Sequence, residues 1–269
     1  MLTSRLVTAA ILLAACIVAM FLLPNLWWAA ALLAVMLLAA REWGALGGYG
    51  IRARWLFCGA VVVCAVALYS ATGAKNSTLA DAELLVYAGS CAFWVLVVPP
   101  WLAAHWQVRS PLVVGAAGLV VLLPAWLAVA RLQSDPAGLL QLLAIVWLAD
   151  TAAFLAGRRW GKRKLAPTIS PGKTWEGVAG AAVAVAVYYV VLSGSASARS
   201  WAHGWSGVMF FAGVTAVSVA GDLLESWMKR CAGVKDSGAL LPGHGGILDR
   251  VDGLLASMPL AALFTKYAG

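Results

Sequence analysis

The sequence predicts an all-α polytopic membrane protein. Three observations carry this. The chain of 269 residues is 63% hydrophobic, with a mean hydropathy of +0.89. Only 11% of its residues are charged, against about 25% in a soluble domain, so lipid must solvate much of its surface. The apolar residues fall into nine runs. Each is close to the roughly 20 residues a helix needs to cross the hydrocarbon core. The charges gather in the short connections between the runs.

The runs lie at roughly 5–23, 26–41, 55–73, 83–104, 111–130, 137–156, 175–193, 205–224 and 251–267. In the first, Leu13-Ala-Ala-Cys16 looks like a lipoprotein cleavage box. The segment stays apolar through Leu23, where a mature lipoprotein turns polar, so it reads as a retained first helix. Pro24-Asn25 turns the chain, because proline disfavours helix in the residue before it. The second run is short and can continue through Glu42 to Leu46. Arg41-Glu42-Trp43 within it reads as an interfacial helix end. Tryptophans near the run ends, such as Trp27, Trp55, Trp106 and Trp205, suit the headgroup layer.

The loops orient the chain. With the N-terminus in the cytoplasm, 15 of the 19 Lys and Arg residues face inward, and only Lys75, Arg131, Arg199 and Lys266 face outward. The positive-inside rule selects this orientation, with the C-terminus outside, in a bacterial inner membrane. It also accounts for the net charge of +8 without nucleic acid. The five cysteines show neither disulfide nor zinc spacing. Residues 1–136 read as a transmembrane scaffold and 137–269 as a transmembrane catalytic region.

Seven of the eleven acidic residues lie between Asp150 and Asp252, all at or near the cytoplasmic face on this topology. Acids along an ion path would sit at several depths. A basic loop, Gly157-Arg-Arg-Trp-Gly-Lys-Arg-Lys164, suits anionic lipid headgroups or an anionic nucleotide. Ser170-Pro171 reads as a helix start, with a capping Ser and a Pro in the first turn. That would place the amides of Gly172 and Lys173 at a phosphate-binding helix N-terminus. Lys173 and Glu176, three apart, would share a face. Asp222, Glu225 or Ser226, and Lys229 follow helical spacing. Asp249 and Asp252 are three apart at the start of the ninth run. The glycines of Gly243-His-Gly-Gly246 let backbone approach a ligand closely. The two helix ends would bring Asp222, Asp249 and Asp252 together. Carboxylates without a Cys or His pair suit a hard cation such as Mg²⁺. His244 reads as a turn residue, not a metal ligand or base.

The segment Ser226-x-Met-Lys-Arg-x4-Lys-Asp-x-Gly-x2-Leu-Pro-x-His-Gly-Gly-Ile-x-Asp-Arg-Val-Asp252 resembles the signature of the phosphatidate cytidylyltransferases, or CDP-diacylglycerol synthases. Asp150-Thr151, Gly157-Arg158, Gly161-Lys162 and Ser170-Pro-x-Lys-Thr-Trp-Glu-Gly177 are also similar to the family. Two positions depart from it: the family tends to carry a Tyr or similar group near Ala153 and a Lys at Gly172.

The resemblance implies that CTP and phosphatidic acid give CDP-diacylglycerol and pyrophosphate at the bilayer surface. It implies Mg²⁺ as cofactor, with a second cation allowed, and a homodimer is compatible with it. On this reading Asp222, Asp249 and Asp252 hold metal. Together with Lys229 and Arg230 they form the catalytic set. Lys173, Lys235, Arg250, Ser170, Thr174 and His244 contact substrate phosphates, and Asp150 and Glu176 stand in reserve. Two other functions fit the apolar pattern less well. A transporter would show repeat symmetry and broken helices near midplane, and neither is visible. A CTP-dependent transferase or kinase acting on an isoprenoid lipid would share the same basic and acidic face.

Overall fold

The computed structural model describes residues 14–73, 77–240 and 245–267. Residues 14–22 are helical (α1), followed by α2 (Asn25–Leu46) and α3 (Ile51–Gly73). Next come α4 (Ser77–Ala92), a π-helical turn at Phe93–Val97 and α5 (Val98–Ala103), then α6 (Pro111–Leu132) and α7 (Pro136–Trp160). A hairpin of β1 (Lys164–Ala166) and β2 (Ser170–Thr174) leads to α8 (Trp175–Ser193). After a 3₁₀ turn at Ser200–Ala202, α9 (Gly204–Cys231) and α10 (Leu248–Tyr267) complete the described chain.

Among the described residues, seven helices are long and apolar enough to cross a membrane, α4 through α5 counting as one. The first expected span lies partly outside the described residues. The ninth exists as α10, a helix of 20 residues, but Asp249, Arg250 and Asp252 at its start dilute its apolarity. Length and composition therefore mark seven crossings among the described residues.

Several helices overrun their expected bounds. α2 continues to Leu46 and buries Glu42 and Trp43. α7 runs on to Trp160 and α9 to Cys231, past the expected ends at 156 and 224. Asp222 is thus nine residues, ~14 Å, before the end of α9. The acids are recessed into the bundle. The π-turn precedes Pro99 and Pro100, which supply no N–H donors, and the Val98 amide reaches back to the Phe93 carbonyl.

Contacts segregate the loops to two ends. At one end Asn25 bonds to Gln133, Arg131 to Tyr69 and Thr72, and Asp135 to Arg199. At the other, His105 meets Thr168, Trp227 donates to the Trp106 carbonyl, and Glu42 meets Ser237. Consecutive connections alternate between the ends, so the chain runs up and down through the bundle. α7 packs along α8, and α9 along α10. The buried core between them is aliphatic, joined by a cluster around Phe210, Phe211 and Phe264.

Candidate active site

Gly221 sets the meeting of α9 and α10. A Cβ there would collide with the Asp252 carbonyl and lie 2.9 Å from the Ala256 Cβ. Without one, the helices close up beside Asp222, and Asp252 comes alongside. Ligand oxygens of Asp222, Glu225 and Asp252 all lie within 4.8 Å of one another. Asp150, from α7, stands within electrostatic reach of Asp222 and Asp252. A small cavity beneath the cluster is lined by Trp94, Gly221, Glu225 and Asp252.

Glu225 belongs to this cluster, whereas Asp249, beside Glu225, turns its oxygens to Lys229 and the following loop. Asp249 Oδ1 accepts from Lys229 Nζ at 2.5 Å. Its Oδ2 accepts from the Ser237 amide and hydroxyl, both at 2.9 Å, and from the Gly246 amide at 2.8 Å. Asp249 is the clasp of the loop between α9 and α10. Gly245 completes that turn at φ 81°, a left-handed conformation suited to glycine. Lys229 links the two sets, since its ammonium also lies 2.6 Å from Glu225 Oε2. Glu225 is buried, with Lys229 as its ion-pair partner. Spacing along α10 could not separate Asp249 from Asp252, because both lie on nearly one face.

Lys173 reaches the cluster from the hairpin, its Nζ 2.6 Å from Asp222 Oδ2. The helix expected to start at Ser170-Pro171 does not form there. Ser170–Thr174 is β-strand, and α8 starts at Trp175 with Thr174 as its N-cap, accepting from the Gly177 amide at 3.1 Å. The reason lies in competing caps. Thr174 offers a capping hydroxyl, and Glu176 in the first turn accepts the Lys162 and Arg163 amides. These bonds pull the preceding residues into an extended return strand, where Pro171 is tolerated in a two-stranded ribbon. Lys173 therefore acts as a side-chain cation and is no part of a helix N-terminus, and it shares no face with Glu176. Gly172, where the resembled family tends to have Lys, is exposed, with nothing within 4 Å of a Cβ built there.

The remaining predicted residues are dispersed. Thr174 is buried and spends its hydroxyl on the cap. Ser170 is half-buried in β2. Arg230 donates through Nε to the Ile169 carbonyl at 3.2 Å, tying the hairpin to α9. Lys235 and Arg250 are exposed at the same end of the bundle. So are Arg158, Arg159, Lys162, Arg163 and Lys164, which make a basic rim. His244 lies outside the described residues.

Two residues from the first half of the chain brace this end. The Glu42 carboxylate, 8% exposed, accepts from the Ile247 amide at 3.1 Å and the Leu248 amide at 2.8 Å, and shares with Asp249 the one proton of the Ser237 hydroxyl, 2.9 Å from each. It therefore caps α10 from α2. His105 holds Thr168 of the hairpin turn at 2.7 Å and packs edge-on against Trp227. A charged residue inside an apolar run was the one sequence signal for Glu42. For His105 there was none.

The cluster fits a divalent cation. Its donors are all carboxylate oxygens, the choice of hard ions. Three carboxylates with ligand oxygens within 4.8 Å of one another crowd like charge, which a cation among them would relieve.

Comparison with known proteins identifies the family. The model of the cytidylyltransferase family matches residues 3–268. A phosphatidate cytidylyltransferase of Pseudomonas aeruginosa is 36% identical, covering 100% of this chain and 98% of the relative. One of Haemophilus influenzae is 33% identical over 98% of both. One of Brucella suis is 52% identical across 46% of this chain and 44% of its own. A match over nearly the whole chain leaves one conclusion: this integral membrane protein belongs to the cytidylyltransferase family.

Proposed function

We propose that the protein transfers the cytidylyl group of CTP to phosphatidate, releasing pyrophosphate, at the cytoplasmic face of a bacterial inner membrane. One observation carries this best. A recessed cluster of three carboxylates, with Asp150 nearby and Lys173 held against it, lies at the end of the bundle that bears the basic rim. Both substrates are polyanions, and one is anchored in the leaflet. The whole-length relatives named for this activity support the same reading.

The reaction joins a phosphate oxygen of phosphatidate to the α-phosphorus of CTP. The bond from that phosphorus to the β-phosphate oxygen breaks, and pyrophosphate leaves with the electron pair. The attacking oxygen is already anionic, so no general base is required. Catalysis rests on positioning and charge neutralisation. The exposed rim of Arg158, Arg159, Lys162 and Arg163 attracts the nucleotide. Lys173 offers a point charge to phosphate, and its pairing with Asp222 keeps it inside the site. Lys229 and Arg230 hold the loop and the hairpin that frame the site. Asp222, Glu225 and Asp252, with Asp150 beside them, would hold Mg²⁺. The ion supplies Lewis-acid stabilisation of charge on the phosphoryl oxygens.

The test is direct. Detergent-solubilised protein given CTP labelled at the α-phosphorus, phosphatidate and Mg²⁺ should form labelled CDP-diacylglycerol and pyrophosphate. Label in lipid only when an isoprenoid lipid replaces phosphatidate would overturn the reading.

A further inference from the structure

A long apolar groove of about 1020 Å³ runs between α8 and α9. Its floor is built of small residues, Ala182 and Ala186 facing Ala212 and Ala216, and all four are exposed. At one end it is lined by Leu165, Trp175 and Leu223. At the other, Tyr189 donates to the Gly204 carbonyl at 2.8 Å, bridging α8 and the start of α9. From Leu223 to Val208 it spans 15 residues of α9, ~22 Å along the helix. That exceeds the hydrocarbon depth of one leaflet, ~15 Å.

We propose that this groove seats one acyl chain of the phosphatidate substrate, an inference that rests on the function proposed above. Three features select this occupant. One end adjoins the phosphate site in the chain itself: Leu223 follows Asp222, and Trp175 is two residues from Lys173, which pairs with Asp222. A lipid whose phosphate reaches Lys173 therefore has its glycerol at the mouth of the groove. The wall is dry, because the two lining hydroxyls are both committed, Tyr189 to Gly204 and Thr215 to the Phe211 carbonyl at 2.8 Å. The groove is also a concave space of about 1020 Å³, bridged near its far end by the Tyr189–Gly204 bond, and so it has room to seat a chain. An ordinary lipid-facing helix surface would not have that room.

The test uses full-length protein in mixed micelles with the variants Ala216→Leu and Ala186→Leu. Both positions are exposed, so a larger side chain fills the groove without entering the core. A methylene-scale misfit in an apolar pocket changes recognition by about 10- to 200-fold. KM for dioleoyl phosphatidate should rise at least about tenfold, while KM for dihexanoyl phosphatidate and for CTP stays unchanged. Equal shifts for the long and short lipids, or no shift for either, would overturn the groove while leaving the proposed function standing. A second readout does not need turnover. Phosphatidate carrying a diazirine on its acyl chain should label α8 and α9 of the wild-type protein. Excess phosphatidate should displace that label, and phosphatidylcholine should not. Label displaced equally by phosphatidylcholine means a site for bulk lipid and overturns the proposal. So does a loss of oligomer mass in the leucine variants, which would make the occupant a second copy of the chain. Displaceable labelling without turnover of either phosphatidate would overturn the proposed function alone.

Discussion

Asp249 and Asp252 are three residues apart and make different contacts. Asp252 faces Asp222 and Glu225, while Asp249 clasps Lys229, Ser237 and Gly246. Asp222→Asn and Asp252→Asn should each lower activity by at least about a hundredfold, the scale of several kcal/mol of charge stabilisation. Their losses should not add, because residues acting on one ion act as a unit. Both should raise the Mg²⁺ concentration needed for half-maximal rate. Asp249→Asn should reduce activity by loosening the loop and leave the Mg²⁺ requirement unchanged. Titrating each variant with Mg²⁺ separates the two roles, and a comparable Mg²⁺ shift in Asp249→Asn would contradict this assignment. Glu42 acts through the same loop. Hydrogen bonds to a charged group contribute about 1.5–3 kcal/mol. Glu42→Gln should therefore speed hydrogen exchange at the Ile247 and Leu248 amides by about ten- to a hundredfold. Unchanged exchange there would show that the brace is dispensable.

At the scale of elements, the site depends on how closely two helices approach. Gly221 admits the backbone of α10 beside Asp222. Gly221→Ala should force α9 and α10 apart, at about 1–3 kcal/mol for overpacking. Thermal unfolding in detergent should show the loss, with activity falling further than stability because the carboxylates separate. Gly213→Ala is the control on the same helix. A Cβ there meets only Leu260 Cδ2 at 3.5 Å, an ordinary contact, so it should leave activity intact. The hairpin is the second decisive element. It carries no helix, yet it delivers Lys173 to a carboxylate on α9, held by Glu176, His105 and Arg230 from three other segments.

The whole molecule sorts its polar chemistry by end. The reactive cluster and the basic rim share one end, and Arg131, Arg199 and Lys266 pair with Glu83 and Asp135 at the other. The proposed orientation, which the charge bias supports, puts the reactive end in the cytoplasm. A single cysteine in place of Lys164, in a chain lacking the native cysteines, should react with a membrane-impermeant maleimide in inverted vesicles. In intact cells it should be protected. The opposite pattern would reverse the topology and put CTP on the wrong side of the membrane.

Hydropathy by itself determined the class of the protein, because a run of about 20 apolar residues in lipid has helix as its one way to satisfy the backbone. Alternation of the runs also set which loops share an end, and the acids and lysines between Asp150 and Asp252 marked the chemical region. The chain did not disclose which carboxylates meet. Periodicity assigns a face to Asp222, Glu225, Asp249 and Asp252, but the partner on that face depends on how far two helices close at Gly221. It did not disclose the strand at Ser170–Thr174, because local helix-start chemistry at Ser170-Pro171 lost to a cap at Thr174 and to Glu176 gripping the Lys162 and Arg163 amides. Nor did it show that Glu42 caps a helix 206 residues away in the chain. Local sequence settles a helix or a cap. Which buried charges neutralise one another is a property of distances between segments, and only the tertiary structure decided those.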